Sequence, residues 1–146
     1  MKPTLEQENT MMDALEGHTK HGYAIGTFGV FFSGGDYFET DVLGAAADGT
    51  EGPITNDSVA RFPDDLAEIY GGTEDQYGYI EFEDPAGMDR VPFDEAFRLI
   101  EIAAKHYIDY RPERREAVEA KLREGRKTFD RLIARHEAWK KAHPEA

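Results

Sequence analysis

Tyr77-Gly78-Tyr79-Ile80-Glu81-Phe82-Glu83 alternates with a period of two, placing Ile80 and Phe82 on one side of an extended chain and Tyr79, Glu81 and Glu83 on the other. Such a stretch reads as a strand with one core face and one acidic face. Asp84-Pro85-Ala86-Gly87 has the composition of a turn, and Met88 to Pro92 then returns as the hairpin partner. Upstream, Ser58 to Phe62 predicts a further short strand. Between the two, Asp64-Asp65-Leu66-Ala67-Glu68-Ile69-Tyr70 fits either one helical turn or an irregular acidic crossing before Gly71-Gly72.

Beyond the hairpin, Phe93, Phe97, Ile100, Ala104 and Tyr107 recur along one helical stripe behind an acidic first turn, which suits the positive end of a helix dipole. Pro112 ends that helix and opens another, from about Glu113 to Lys141, with Val118, Leu122, Phe129, Ile133 and His136 on one side. Its 4-3-4-3 register through Val118, Leu122, Gly125, Phe129, Leu132, His136 and Trp139 resembles a coiled-coil seam, but glycine and histidine in the seam favour ordinary packing on the domain. The expectation is a monomer or weak dimer. Toward the N-terminus, residues 3–17 predict a short helix with Leu5, Met12 and Leu15 inward and Gly17 as its stop. Tyr23 to Phe32 is glycine-rich, β-branched and aromatic and predicts a buried strand, because glycine weakens a helix interior by about 1 kcal/mol. Ser33-Gly34-Gly35-Asp36 then turns the chain, with Asp36 at the N-cap of a helix carrying Phe38, Val42, Leu43, Ala46 and Ala47 and ended by Gly49. With no internal repeat and no linker, residues 1–146 read as one α+β domain: a small antiparallel sheet packed by helices, with a long basic C-terminal helix.

A 146-residue chain with 40% apolar and 32% charged residues builds one ordinary core. Cysteine is absent, which excludes disulfides, thiol nucleophiles and Cys-ligated metals. The greasiest segment, Ala24 to Phe32, is far short of the roughly 20 residues that cross a bilayer, and the N-terminus lacks a leader-like apolar stretch. A cytoplasmic location without membrane contact is expected. The net charge of −13 is uneven: from Arg111 onward there are 11 basic and 7 acidic residues, whereas residues 1–110 carry 6 and 23. Between Asp36 and Glu95, 17 acidic residues face only Arg61 and Arg90. Such a surface repels nucleic acid and attracts basic proteins.

Catalytic signals are weak. The two serines, Ser33 and Ser58, lie in no nucleophile elbow, and there is no phosphate-binding glycine loop. Carboxylates are plentiful, but spacing alone makes no acid/base pair of them. His18-x-x-His21 lacks a third ligand and reads as two solvent histidines, while His106 and His136 lie on or beside helical stripes as partly buried side chains. Asp84 to Glu95 misses the ligand spacing of a calcium loop. No cofactor, no metal and no catalytic residue is predicted.

What stands out is acidity combined with tyrosine over one compact stretch: Asp64, Asp65, Glu68, Tyr70, Glu74, Asp75, Tyr77, Tyr79, Glu81 and Glu83. Tyrosine concentrates binding energy at interfaces, and carboxylates steer a cationic partner and accept bidentate arginine. These residues are the expected partner-binding set.

Asp36-Tyr37-Phe38, Ala45-Ala46-Ala47-Asp48-Gly49, Gly78-Tyr79-Ile80-Glu81-Phe82, Val91-Pro92-Phe93-Asp94-Glu95-Ala96-Phe97, Ala104-Lys105-His106-Tyr107-Ile108 and Arg111-Pro112-Glu113 follow one another in an order that resembles the ribonuclease-toxin immunity proteins of bacterial contact-dependent growth inhibition systems, the CdiI group. The resemblance covers about residues 36–125; residues 1–35 and the helix past Gly125 lie outside it. It implies a small acidic protein, not an enzyme, that neutralises a cognate nuclease toxin domain by binding it. Two other readings remain: an acidic nucleic-acid mimic that inhibits another nucleic-acid-binding protein, and a small enzyme using carboxylates with His106 or His136.

Overall fold

Of the alternating stretch read from Tyr77 to Glu83, Tyr77 and Gly78 precede the strand, which runs Tyr79–Asp84 (β2) and is the middle of a three-stranded antiparallel sheet, flanked by Val59–Arg61 (β1) and Gly87–Pro92 (β3). The computed structural model describes residues 1–145, and six α-helices accompany this sheet there. The hairpin between β2 and β3 closes over Pro85 and Ala86, where the Asp84 carboxylate accepts hydrogen bonds from the N–H groups of Ala86 and Gly87. Ala60, Phe62, Ile80, Phe82 and Val91 are buried on the inner face of the sheet. The fold is α+β.

The segment expected to be a buried strand is instead a helix, Gly22–Ser33 (α2), and it forms the centre of the core. Ala24, Ile25, Phe28, Phe31 and Phe32 are all buried, so the helix is apolar nearly all round and carries no 3.6-residue signal against a polar face. Its glycines serve close approach. A β-carbon on Gly26 would meet the Asp84 carboxylate at 2.7 Å, and one on Gly29 would meet the Met12 sulfur at 2.9 Å. Burial therefore overrides the intrinsic penalty that favoured a strand. The N-terminus of α2 has no cap of its own; Asp89 of β3 supplies it by accepting from the N–H groups of Tyr23 (2.8 Å) and Ala24 (3.1 Å).

Leu5–Glu16 (α1) lies against α2 and is opened by a capping box between Thr4 and Gln7. Its inward residues are Met11 and Leu15; Leu5, expected inward, is exposed. After α2 the chain runs through a π-helical turn, Phe38–Leu43, into the short helix Gly44–Asp48 (α3), which ends at Gly49 in the left-handed region. Asp36 does not cap this segment. Its carboxylate pairs with Arg111 instead, and that hydrogen bond holds it below the usual carboxylate range.

The acidic crossing is a helix, Pro63–Tyr70 (α4). The apolar stripe forms Phe93–Tyr110 (α5), and after a 3-10 turn at Pro112–Arg114 the last helix runs Arg115–Ala142 (α6). α6 lies along α3 and α5, with Val118, Gly125 and Phe129 buried and Leu122, Leu132 and Ile133 packed on the core. From Val118 to His136 its heptad-like seam is thus occupied by its own domain, whereas Trp139 stacks on His136 and His143. Phe129 sits among Phe62, Phe93 and Phe97 at ring separations of 5.0–6.1 Å, tying the last helix to the sheet and α5. No helix among the described residues is long and apolar enough to cross a membrane.

Candidate functional site

The expected acidic platform divides into groups with different tasks. Asp65, in the first turn of α4, accepts hydrogen bonds from the N–H groups of Phe62 and Gly52, both at 2.9 Å. It caps its own helix and ties down the preceding loop. Asp64 accepts from Glu51 N–H at 3.0 Å, beside a backbone held at φ 52°. Glu74 and Asp75 both face Arg135 of α6, and the His136 ring bonds the Asp75 carbonyl oxygen. Tyr77 is buried and donates to Gly71 O at 2.6 Å.

Glu81 is the largest departure from expectation. The alternation placed it on an acidic solvent face, yet it is 0% exposed. Strand register explains why: Arg61 and Arg90 stand directly opposite it on the two neighbouring strands. Arg61 Nη1 donates to Glu81 at 2.8 Å and Arg90 Nε at 3.2 Å, while Tyr70 Oη reaches over from the end of α4 and donates at 3.1 Å. Arg61 also binds Glu83 at 2.6 Å. Arg90 lies 5.2 Å from the Tyr79 ring and 5.9 Å from the Tyr70 ring, so both tyrosines are ordered by the guanidinium between them. A buried carboxylate needs such partners to remain in the fold.

Of the expected set, Glu68 and Tyr70 therefore remain exposed, the latter at 52%. They border a feature that no single stretch of sequence reveals. Cα pairing runs Ile54–Val59–Glu83–Met88 across one level of the sheet, and in-register residues share a face. This row lies on the outer side, next to the Arg61–Glu81–Arg90 row. Ile54 is 69% exposed, Met88 40% and nearby Ile69 of α4 56%. An outer sheet face is ordinarily polar, so the exposed apolar side chains are unusual. The β1 edge beside the row is closed by Thr55 N–H bonding Ser58 O and Ala60 N–H bonding Pro53 O, and Tyr37 Oη donates to Ile54 O at 2.9 Å.

Two hollows meet at Ile54. One, of about 620 Å³, runs over β1 between the 54–58 turn and α4 and carries Asp57, Asp65, Glu83 and Asp84. The other, of about 420 Å³, carries Asp41, Asp48 and Glu51. Arg61 is the one cation among their lining residues, and it is committed to Glu81 and Glu83. Sequence reasoning missed Ile54, Ile69, Met88 and the second group of carboxylates; an isolated isoleucine after Pro53 in a turn-rich stretch was the available signal.

Elsewhere, titratable groups are bound into structural ties. Glu39, buried, takes Nε and Nη2 of Arg114 at 2.9 and 2.5 Å and the Tyr107 hydroxyl at 3.1 Å. The Arg114 hydrogen bond holds its carboxyl below the usual range. Burial pushes the Tyr107 hydroxyl up, and that of Tyr110 to about 12. His21, expected in solvent, is half-buried and its Nδ1 meets Glu95, which also accepts from Thr19 Oγ1 at 2.7 Å. His18 is exposed. His106 lines a shallow hollow with Thr4, Gln7 and Asp109. Among the described residues no group of three or more His, Asp or Glu side chains is placed to hold a metal ion. Comparison with protein-family models, with curated proteins and with solved structures finds no match for the chain.

Proposed function

We propose that the chain is an immunity protein that binds a basic nuclease toxin domain, most simply a ribonuclease, and neutralises it by covering its substrate-binding surface. The observation that carries this reading is the pair of carboxylate-lined hollows meeting at an exposed isoleucine, with no free cation among their lining residues. A nuclease must present Lys, Arg or protonated His to phosphates, so an acidic surface of matching extent competes for the same cations. Carboxylates speed encounter, and exposed apolar and tyrosine side chains hold the complex once formed. The sequence resemblance across residues 36–125 supports the same assignment.

The chain acts by occupancy inside the producing cell, without catalysis or a cofactor. The test is co-expression with the nuclease domain encoded immediately upstream of this gene. Cells carrying both survive, and the purified proteins elute as one complex. Death of the cells despite abundant folded protein rejects the proposal.

A further inference from the structure

We infer that the partner docks on the outer face of the sheet, across the Ile54–Val59–Glu83–Met88 row and Ile69, through a surface segment in which one or two apolar side chains are flanked by lysine or arginine. This rests on the proposal above for the nature of the partner and adds where and how it is held.

Three observations carry it. The first is that apolar side chains are gathered where solvation would select polar ones: Ile54 and Ile69 are both more than half exposed. Tyr70, at the border of this patch, is already fixed by Glu81 and Arg90, so it meets a partner without losing side-chain freedom on binding. The second is shape. Ile54 stands as a ridge between two hollows rather than at the bottom of one, and its backbone is pinned by the Val59 bridge and the Tyr37 hydroxyl. A rigid ridge fits a protein surface; a small ligand would be sought in a concave, enclosed site. The third is charge. Asp57 and Glu83 on one side and Asp41, Asp48 and Glu51 on the other rim the ridge. An occupant that buries Ile54 must bring cations within reach of these carboxylates, because a neutral or acidic one would desolvate them without compensation.

The backbone at the β1 edge is already bonded to the 53–55 segment, so recognition there runs through side chains rather than through an added strand.

The experiment has two arms. In the first, amide chemical shifts of the unaltered protein are followed during titration with a ten-residue peptide of alternating lysine and leucine. Shifts concentrated at residues 54–61, 65–70 and 83–88 are expected; shifts spread evenly over exposed acidic positions such as Glu16 and Glu101 overturn the docking surface. In the second, Kd for the upstream nuclease domain is compared between the protein and an Ile54→Ser/Ile69→Ser variant. Both side chains are exposed, so the thermal midpoint stays the same, and Kd rises by at least tenfold. Equal affinity in the folded variant overturns the surface while the immunity reading stands. Peptide shifts at the row with no binding of the nuclease leave the surface in place and reject the nuclease as its occupant.

Discussion

Glu39 lies beneath the Tyr107 hydroxyl and takes two hydrogen bonds from Arg114, while Lys121 Nζ donates to its backbone carbonyl at 3.0 Å. The ion pair holds its carboxyl below the ordinary 4.5, so the folded state binds this proton less readily than the unfolded chain. A group lowered in this way contributes stability that is present above the unfolded value and is lost as pH falls through the folded one. Urea unfolding of Glu39→Gln at neutral pH is expected to show a loss of about 1–3 kcal/mol. The gap to the unaltered protein narrows as pH drops from about 5 toward 3, in line with that linkage. Parallel curves for the two proteins across that range would remove the pair from the account of acid stability. The same reasoning reorders the acidic set: Asp65 caps α4 and holds Gly52, while Asp64, Glu74 and Asp75 make exposed contacts within the chain, so reversing all four to lysine would mix lost structure with lost binding. Ile54 and Ile69 avoid that confusion.

At the level of elements, α2 depends on a residue far away in sequence. Asp89 gives two of the unpaired N–H groups at its first turn their acceptor, and no side chain of the 19–22 turn does so. Asp89→Ala is expected to cost about 0.5–2 kcal/mol in urea unfolding and to weaken hydrogen-exchange protection at the start of α2, whereas Asp89→Asn retains most of both. Unchanged protection at Ala24 to Phe28 in Asp89→Ala would show that the cap contributes nothing. This dependence also explains what could be read in advance. β2 and its hairpin partner were legible because alternation and Asp-Pro-Ala-Gly are local signals, and α5 because its stripe faces a polar opposite side. α2 was not, since an apolar sequence nearly all round the helix erases the helical period and its glycines answer to Asp84 and Met12, which local sequence does not place. For the site, composition pointed to the acidic middle of the chain. The apolar row escaped because four segments contribute one residue each, and only strand register brings them to one level.

Over the whole molecule, the uneven charge is partly consumed by the fold itself. The basic last helix reaches back to the acidic portion through Arg126–Asp94, Arg135–Glu74 and Arg135–Asp75, and Arg114 just before it binds Glu39. These contacts lessen self-repulsion in a chain of net charge −13. Around Ile54, Asp41, Asp48, Glu51 and Asp57 have no such partner among the described residues, so they remain available to a cationic molecule. Binding to the nuclease domain should therefore separate kinetically into two parts. Approach is governed by exposed charge, which screening shortens to about 10 Å at 0.1 M salt and about 3 Å at 1 M. Residence is governed by the apolar row, whose contribution changes little with salt. Raising NaCl from about 0.05 to 0.5 M is expected to slow association by an order of magnitude or more while dissociation changes by less than about threefold. Ile54→Ser/Ile69→Ser should show the reverse pattern at fixed salt, with association nearly unchanged and dissociation faster. An association rate that does not respond to salt would place the contact away from the two acidic hollows, whatever the affinity of the complex.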